Sequence, residues 1–377
     1  MVTKRGHGEG SIRQRRPGQW EQRITLPDGH RRSAYGETKK GAQEKGRELV
    51  RAFDAGLTTL DRTQTVETYL KRWLADAAKP TLRPKTWDNY ESMLRVHVLP
   101  LIGKVKLASL TAQQLQAVYS RMLTAGKSPR TAQLAHAVVH KAFKQAVLWA
   151  LIPSNPADRV VAPKPVRREF STLRPSHVRA LLDGSGDPQW RALLLLAVST
   201  GLRQGEQLGL EWPDVDLDRG TLSVRRSLGF QRGRGLVTTD VKTARSRRTV
   251  ELGAALVGAL RVHRTAQLER RLRAGPAWVD LGFVFTRDDG QPLEPGSVTH
   301  RFQRESAELG LPVVRYHDLR HTAATLMLEA GIHPKVVQER LGHATIAVTM
   351  DTYSHVLPNM QRDAAAAMDR VLAAAGA

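Results

Sequence analysis

The 377-residue chain carries 58 lysine and arginine residues against 36 aspartate and glutamate residues, a formal net charge of +22. It contains no cysteine, which excludes disulfides, thiolate catalysis and cysteine-based zinc sites. The length predicts two or three domains. The basic residues are spread along the whole sequence, which favours several surfaces that contact a polyanion such as nucleic acid. A basic soluble protein without such a partner is the simpler alternative.

Residues 1–58 predict a small module, a three-stranded β-sheet followed by a helix. Basic and apolar residues alternate from 11 to 36, with turn signals PG at 17–18 and PDG at 27–29. A sheet face that carries many arginines is typical of a surface that contacts DNA, and a solvated basic face is the alternative. The arginines on or beside these strands are Arg13, Arg15, Arg16, Arg23, Arg31 and Arg32.

Residues 62–157 predict an all-α helical bundle. Further helices are expected to begin at Pro84, after Thr111 and after Ser128, because proline is favoured in a first turn and hydroxyl side chains cap helix N-termini. The apolar residues with helical spacing in the first helix are Val66, Tyr69, Leu70, Trp73 and Leu74. The candidate DNA-phosphate contacts of this bundle, for which a solvated face is the alternative, are Lys127 and Arg130.

The segment 158–170 is proline-rich and basic, and we interpret it as a linker. The remainder, 171–377, predicts a mixed α+β domain that is mainly helical, with strand-like runs TLSVRRSLG, GLVTTDVK and RRTVEL between 221 and 252. It ends in an alanine-rich tail that predicts a helix. The apolar stripe of that tail is Met368, Val371 and Leu372.

The sequence predicts no export and no membrane partner. The first ten residues contain no apolar stretch of the kind found in secretory signals. The longest apolar run, ALLLLAV at 192–198, is far too short to span a bilayer. The chain is therefore expected to act in the cytoplasm of a bacterial cell.

Separated segments of the third domain contain residues suited to chemistry. The candidate catalytic residues are Arg203, Lys242, His317, Arg320, His343 and Tyr353. Arg203 lies between two glycines, Lys242 is predicted at the tip of a hairpin, and His317 lies three residues before Arg320 on one helical face. Each segment alone has an ordinary explanation. Arg203 can pair with Glu206 for structural reasons, lysines are common in turns, and a tyrosine at helical spacing usually belongs to a core.

A zinc site on the segment HDLRH is a weaker alternative. His317 and His321 have the i, i+4 spacing of two zinc ligands on a helix. Zinc hydrolases of that type need a glutamate beside the first histidine as general base, and Asp318 occupies this position. We therefore expect no metal and no other cofactor.

Taken together, these residue types suit attack on a phosphodiester. Two arginines can bind the non-bridging oxygens with forked donors as negative charge accumulates on them. A histidine can add a hydrogen bond, and a lysine or histidine can protonate the departing 5′-oxygen. A tyrosine can attack in line and hold the strand as a phosphotyrosine ester, which conserves the bond energy for rejoining.

The segments TGLRQGE, HDLRHT, LGH and TMDTYSH resemble, in order and spacing, the signature boxes of the tyrosine recombinase (phage integrase) family. The resemblance is specific over about 170–358 and weaker over the helical and N-terminal parts. It implies that Arg203 and Arg320 clamp the scissile phosphate and that Tyr353 is the nucleophile. The roles that it implies for the other residues are general acid for Lys242, active-site histidines for His317 and His343, and support of the clamp for Glu206.

Two details of the resemblance stay open. The alignment of Lys242 is the least secure, because Arg245, Arg247 and Arg248 crowd the same turn. His355, two residues after the tyrosine, receives no role.

The resemblance also implies partners. A three-part integrase binds core sites at the crossover and arm sites nearby on double-stranded DNA, and acts as a homotetramer that exchanges strands through a Holliday junction. An accessory excisionase or DNA-bending protein is a further expected partner. The family places a tail helix of the kind predicted here on a neighbouring protomer, and packing on the same domain is the alternative.

Two other functions compete with site-specific recombination. A type IB topoisomerase uses the same active-site chemistry to nick and rejoin one duplex. A helix-turn-helix regulator is suggested by the cadence of LEAGIHPKVVQERLGHATIAVT, but a regulator needs neither Arg203 nor Lys242 nor a tyrosine at 353.

Overall fold

The computed structural model describes most of the chain in two compact units, residues 1–167 and 168–377. The described residues are 10–26, 31–54, 63–165, 171–231, 233–240, 247–353, 365–366, 368–370 and 372–373, with the backbone alone described for 52–54 and 351–353. Within these ranges, no helix has the length and apolar character needed to cross a membrane.

The first unit begins with the predicted sheet and helix. Strands β1 (Ser11–Arg16), β2 (Gln19–Thr25) and β3 (Arg31–Gly36) form an antiparallel sheet in the order β1-β2-β3. Helix α1 (Lys39–Asp54) packs on β2 and β3 over the buried Ile24. The turn predicted at 27–29 lies outside the described residues.

The helical part of the first unit follows the predicted helix starts. Its helices are α2 (Val66–Trp73), α3 (Pro84–Met93), α4 (Leu99–Ile102), α5 (Ala112–Thr124) and α6 (Pro129–Leu148), with π-helical turns at Leu74–Ala78 and Leu94–Val98. Thr111 and Gln114 form a capping box at the start of α5, and Ser128 caps α6. Tyr69, Trp73 and Phe143 lie in the core between these helices.

The second unit is built around the buried helix α8. Its helices are α7 (Pro175–Asp183), α8 (Pro188–Thr200), α9 (Gln204–Leu208), α10 (Ala254–Ala274), α11 (Pro295–Glu308), α12 (Asp318–Glu329), α13 (Pro334–Leu341) and α14 (Ile346–Tyr353). Helices α10 and α12 pack on α8, and most side chains of α8 are buried. The segment that contains Arg203 follows directly after the C-terminal end of this buried helix.

The strands of the second unit differ from the prediction in one respect, the division of one predicted run. They are β4 (Val215–Asp216), β5 (Thr221–Val224), β6 (Arg226–Gln231), β7 (Gly235–Asp240) and β8 (Arg248–Glu251). The run TLSVRRSLG, predicted as one strand, is divided because Val224 pairs with Arg248 whereas Arg226 pairs with Asp240. Among the described residues, β5 joins β4 and β8 in one sheet, and β6 joins β7 in another.

A further prediction places Lys242 at the tip of a hairpin. The residue lies in 241–246, outside the described residues. The strands that flank this segment, β7 and β8, pair with β6 and β5 and not with each other. The described strands on either side of Lys242 thus belong to two different sheets, and the position of Lys242 at the tip of a hairpin stays a prediction.

Candidate active site

Arg203 is positioned by a tight junction between α8 and α9. Gly201 ends α8 in the left-handed conformation, with φ +63°, and a Cβ at this position would lie 2.4 Å from Cδ2 of Leu341. Arg203 then caps α9: its backbone N–H donates to Oε2 of Glu206 over 3.0 Å, and its Nη1 donates to Oε1 over 2.8 Å. The structural ion pair considered for Arg203 is present, and it holds the guanidinium while leaving the side chain 42% exposed.

Arg320 is buried in α12 and joins two other segments. Its Nη1 donates to the carbonyl of Gly201 over 2.7 Å, and its Nη2 donates to the carbonyl of Leu341 over 2.8 Å. Gly201 lies two residues before Arg203, and Leu341 lies two residues before His343. Arg320 therefore holds the backbone just before Arg203 and the backbone just before His343.

His343 lies just beyond α13 and contacts the helix that ends at Tyr353. Its Nδ1 is 2.9 Å from Oγ1 of Thr349, a buried residue of α14. Burial, together with the nearby positive charges of Arg320 and Arg203, lowers the pKa of His343 to about 4. The imidazole is therefore neutral at pH 7, and it lies in the positive field of both candidate clamp arginines.

The other two histidines are close to Arg320. His317 immediately precedes α12, and its side chain reaches solvent, but partial desolvation and Arg320 lower its pKa. Burial lowers the pKa of His321 to about 4, with a further contribution from His317. Their rings meet edge to face at 5.8 Å between centroids. Over the part of the chain that the structure describes, no three histidine, aspartate or glutamate side chains are grouped to hold a metal ion.

Glu206 is the carboxylate that pairs with two arginines of the site, Arg203 and Arg248. Burial alone would raise the pKa of its carboxyl group, but the guanidinium groups of Arg248 and Arg203 outweigh burial, and the pKa is below its usual value. The carboxylate is therefore ionised and accepts from both arginines.

Sequence reasoning gave no role to Arg248, although its signal was present. Arg248 occupies the first position of β8, and Val250, two residues later, is buried. Side chains two apart in a strand share a face, so the alternation itself places Arg248 on the inner side. Its side chain is 8% exposed, whereas that of the neighbouring Arg247 is 65% exposed.

A second overlooked group supports the segment before Arg203. The hydroxyl of the buried Tyr316 donates to Oε1 of Gln207 over 2.6 Å. The amide of Gln207 in turn donates to the carbonyl of Leu202 over 2.7 Å. Tyr316, which precedes His317, thus anchors Leu202, which precedes Arg203. Burial raises the pKa of Tyr316, so its hydroxyl stays protonated and can donate.

Two of the candidate catalytic residues, Lys242 and Tyr353, have no described side chain. The backbone of Tyr353 forms the last position of α14, which places it seven residues after Ile346 at the helix start. Lys242 and His355 lie outside the described residues. The structure thus brings together Arg203, Glu206, Arg320 and His343 by direct and relayed contacts.

The arginines of the N-terminal sheet also surround a carboxylate. Arg13, Arg15 and Arg23 approach Glu21 at 2.8, 3.1 and 3.2 Å. The hydroxyl of Ser33 donates to Glu21 over 2.8 Å, and this bond, together with Arg13 and Arg23, lowers the pKa of Glu21 to about 2. By strand alternation these residues share the face opposite to the one that packs on α1.

The other predicted DNA contacts do not pair with Glu21 in the described contacts, although Arg31 lies on the same face of the sheet. Arg31 begins β3 and is exposed, whereas Arg32 lies on the opposite face by alternation. Lys127 lies in the connection between α5 and α6, and Arg130 lies in the first turn of α6; both are exposed. In the tail, Met368 and Leu372 are 56% and 64% exposed, and Val371 lies outside the described residues.

Family models match two parts of the chain. The model described as the phage integrase family matches residues 171–360, which is half of the chain and includes every candidate catalytic residue. The model described as the phage integrase N-terminal SAM-like domain matches residues 65–123, within the helical part of the first unit.

Individual relatives extend over nearly the whole chain. A protein named tyrosine recombinase XerC-like, from Caldanaerobacter subterraneus subsp. tengcongensis, is 30% identical over 89% of this chain and 90% of its own length. Among solved structures, the Tn1549 transposon integrase in complex with transposon right end DNA covers 82% of this chain and 100% of its own, with a TM-score of 0.69 and 22% identity. A lambda integrase tetramer bound to a Holliday junction covers 89% of this chain and 95% of its own, with a TM-score of 0.59 and 22% identity.

Proposed function

Because the chain belongs to the phage integrase family, whose members transfer DNA strands in site-specific recombination, we propose that Arg203 and Arg320 bind the scissile phosphate and that Tyr353 attacks it. The observation that carries this proposal is the relay of contacts that joins Arg203, Glu206, Arg320 and the Leu341–His343 segment. The guanidinium groups of Arg203 and Arg248 share the carboxylate of Glu206, and that of Arg320 donates to neutral carbonyls, so the site has an excess of positive charge for a phosphodiester.

The reaction is a transesterification at phosphorus. The phenolic oxygen of Tyr353 forms a bond to phosphorus while the bond from phosphorus to the 5′-oxygen breaks, which leaves a 3′-phosphotyrosine and a free 5′-hydroxyl. We assign the proton delivered to the 5′-oxygen to Lys242. Rejoining reverses each transfer, so the sequence needs neither ATP nor a cofactor.

The two histidines add neutral donors to this scheme. Nδ1 of His343 already contacts Thr349, so its Nε2 is the nitrogen that we assign to the phosphate. A pKa below the usual value keeps His317 and His343 uncharged at pH 7. A neutral imidazole can donate to a non-bridging oxygen and can also accept the proton of an attacking phenol.

The division of labour along the chain is a further part of the proposal. We assign arm-site binding to the sheet and helix of 1–58, core-site binding to the helical bundle of 62–157, and catalysis to 171–377, with 158–170 as a linker. The basic face of Arg13, Arg15, Arg23 and Arg31 supports the first assignment. Lys127 and Arg130 are assigned to the core-site backbone.

The proposed assembly on DNA is a homotetramer, as in the lambda integrase tetramer bound to a Holliday junction. The exposed Met368 and Leu372 support a tail helix that packs on a neighbouring protomer. An accessory excisionase or DNA-bending protein completes the proposed set of partners. The likeness to integrases favours neither the topoisomerase nor the helix-turn-helix regulator.

Trapping of a covalent adduct tests the central assignment. The full chain is incubated with DNA duplexes that span the ends of the mobile element expected to encode this protein. Each duplex has a nick placed so that cleavage releases a short fragment and prevents rejoining. We expect a covalent protein–DNA species with the wild-type protein and none with Tyr353→Phe, which lacks the attacking oxygen but retains DNA binding.

Tyr35→Phe is the matched control, because it removes the hydroxyl of an exposed tyrosine in the other unit. The control should form adduct at the wild-type rate on a core-site substrate. Adduct formation by Tyr353→Phe would assign the nucleophile to another residue. No adduct from the wild-type protein on any element-end duplex would refute the proposed reaction.

A further inference from the structure

Arg248 connects two segments that carry proposed catalytic residues. Its Nη2 donates to Oε2 of Glu206 over 3.0 Å, and its Nε donates to the carbonyl of Arg340 over 2.8 Å. Glu206 holds Arg203 through its other oxygen. One planar guanidinium therefore spans the distance between the Arg203 pair and the last turn of α13.

The end of α13 depends on two arginines from outside the helix. The carbonyls of Arg340 and Leu341 accept from Arg248 and Arg320, respectively. The last carbonyls of a helix have no partner within it and carry partial negative charge, so two guanidinium groups are well suited to satisfy them. His343 lies two residues after Leu341, so this double cap holds the backbone that leads into it.

Gly342 provides the space that this arrangement requires. It adopts φ +70°, and a Cβ built on it would lie 2.9 Å from Nη1 and 3.1 Å from Cζ of Arg248. A side chain at 342 would thus displace the guanidinium in addition to straining the backbone. The glycine of the LGH segment is explained in part by the passage of Arg248.

We infer that Arg248 is a positioning residue for strand cleavage, which holds the His343 segment at a fixed distance from the Arg203–Glu206 pair. The inference rests on the proposed function. Arg248 acts through Glu206 and through the Arg340 carbonyl, and no contact with DNA is assigned to it. The rigid spacing of the guanidinium donors is essential, because a lysine ammonium on a flexible stem cannot bridge the two acceptors in a defined geometry.

The first experiment measures single-turnover cleavage of the nicked duplex at saturating protein, together with the Kd for the same duplex. Arg248→Lys is expected to lower the cleavage rate on the order of 100-fold, the effect of a misplacement of about 1 Å in a catalytic constellation. The Kd should change by less than about threefold, since the clamp arginines and the DNA-binding surfaces are retained. Wild-type cleavage by Arg248→Lys would overturn the inference.

Arg301→Lys is the matched control. Arg301 of α11 likewise bridges two acceptors, in its case two carboxylates, with Nη1 2.8 Å from Asp187 and Nε 2.7 Å from Glu305. Asp187 caps the start of α8 and therefore lies at the opposite end of this helix from Gly201. Its replacement should leave the cleavage rate within about threefold of wild type. An equal loss in both variants would mean that Arg248 stabilises the fold without a specific effect on cleavage.

Chemical rescue provides a readout that a general loss of stability would not move. Arg248→Ala removes the side chain, and added methylguanidinium should restore cleavage whereas methylammonium should not. If neither cation restores cleavage in a variant that melts at the wild-type temperature, the guanidinium geometry is not the operative feature and the inference fails.

Gly342→Ala tests the same contact from the other side and covers the case in which Arg248 variants fold poorly. The backbone strain at 342 is common to both backgrounds, whereas the clash with the guanidinium exists only when Arg248 is present. Gly342→Ala should therefore cost more cleavage in the wild-type background than in Arg248→Ala. Equal costs in the two backgrounds would contradict the inference, and the wild-type adduct, measured in parallel, reports separately on the proposed function.

Discussion

Two buried carboxylates, Glu21 in the first unit and Glu206 in the second, each collect arginines, but the arginines differ in exposure. Those around Glu21 are Arg13, Arg15 and Arg23, with side chains 47% to 52% exposed. Of those around Glu206, Arg203 is 42% exposed and Arg248 is 8% exposed. The same ion-pair chemistry thus supports an open basic face in one unit and an enclosed relay in the other.

The difference teaches what each carboxylate can do. Around Glu21 every arginine reaches solvent, so the carboxylate orders a set of cations that a large anionic partner can contact together. Of the two arginines that contact Glu206, only Arg203 is partly exposed to solvent. The buried Arg248 connects Glu206 to the end of α13 through the carbonyl of Arg340. Loss of Glu21 should therefore affect recognition, whereas loss of Glu206 should affect the cleavage step.

The largest effects are expected at the two clamp arginines. Arg203→Lys and Arg320→Lys should each lower single-turnover cleavage roughly 100- to 1,000-fold, because a lysine keeps the charge but loses the forked contact to a phosphate whose charge increases in the transition state. Adduct formation on the nicked duplex measures this loss.

Thermal unfolding separates the two variants. Arg320→Lys should also lower the Tm, since one ammonium cannot satisfy the carbonyls of both Gly201 and Leu341. Arg203→Lys should melt close to wild type because its guanidinium is half exposed. The opposite order of the two Tm values would contradict the placement of Arg320 as the buried tie.

Glu206→Gln should have an intermediate effect, a loss of about 10-fold in the cleavage rate. The glutamine amide has nearly the same size as the glutamate carboxylate, but one of its two acceptor oxygens becomes an NH₂ donor. This donor would face the guanidinium of Arg203 or Arg248, so one of the two hydrogen bonds is lost. Glu21→Gln is the matched control for this measurement and should leave core-site cleavage unchanged. Similar cleavage losses in the two variants would remove the distinction between the two carboxylates.

The helix starts of the first unit could be predicted because their causes are local. Thr111 and Ser128 accept from backbone N–H groups three residues ahead, and Pro84 needs only its own ring to favour a first turn. Such interactions are contained in a few neighbouring letters of the sequence.

The role of Arg248 was not predicted because its partners are distant in sequence. Glu206 is 42 residues away and Arg340 is 92 residues away, and only the fold brings them together. The division of the run TLSVRRSLG has the same origin. Val224 and Arg226 have similar surroundings in sequence, and their separation into two sheets depends on where β7 and β8 lie.

The resemblance predicts roles for Arg203, Arg320 and His343 but does not explain how these residues are held. The structure supplies that account through backbone carbonyls, which carry no signature in the sequence. Gly201, Arg340 and Leu341 accept through main-chain oxygens, so their side chains reveal nothing of this function.

Glu21→Gln should have a smaller effect, on DNA selection. Three arginines held by one carboxylate have fewer accessible arrangements, and their release should weaken discrimination between an arm site and random DNA by a few-fold, less than the cost of about 1–3 kcal/mol for one lost base contact. Non-specific affinity should hold or increase, because one negative charge has been removed. Competition binding with random duplex measures the ratio, and an unchanged ratio would show that Glu21 only stabilises the sheet.

The smallest expected effect is the response of cleavage to mild acid, and its small size is informative. A histidine with the usual pKa of about 6.5 would be largely protonated at pH 5.5, and a reaction that needs its neutral form would slow roughly tenfold between pH 7.5 and 5.5. The pKa of His343 is lowered to about 4, so its neutral form persists as the pH falls through this interval. We therefore expect kcat/KM for cleavage to vary by less than about twofold between pH 7.5 and 5.5.

Protein stability, in contrast, should decrease as the pH falls below about 6.5. The histidine at position 343 takes up a proton there in the unfolded chain but not in the folded protein, where its pKa is about 4. A parallel series of Tm measurements therefore distinguishes unfolding from titration of the site. Glu21, with a pKa of about 2, predicts that arm-site binding is equally insensitive to pH here, for a different reason. A tenfold loss of cleavage with an unchanged Tm would show that a histidine in the site, His317 or His343, titrates normally, and that burial and the nearby Arg320 lower its pKa less than the structure indicates.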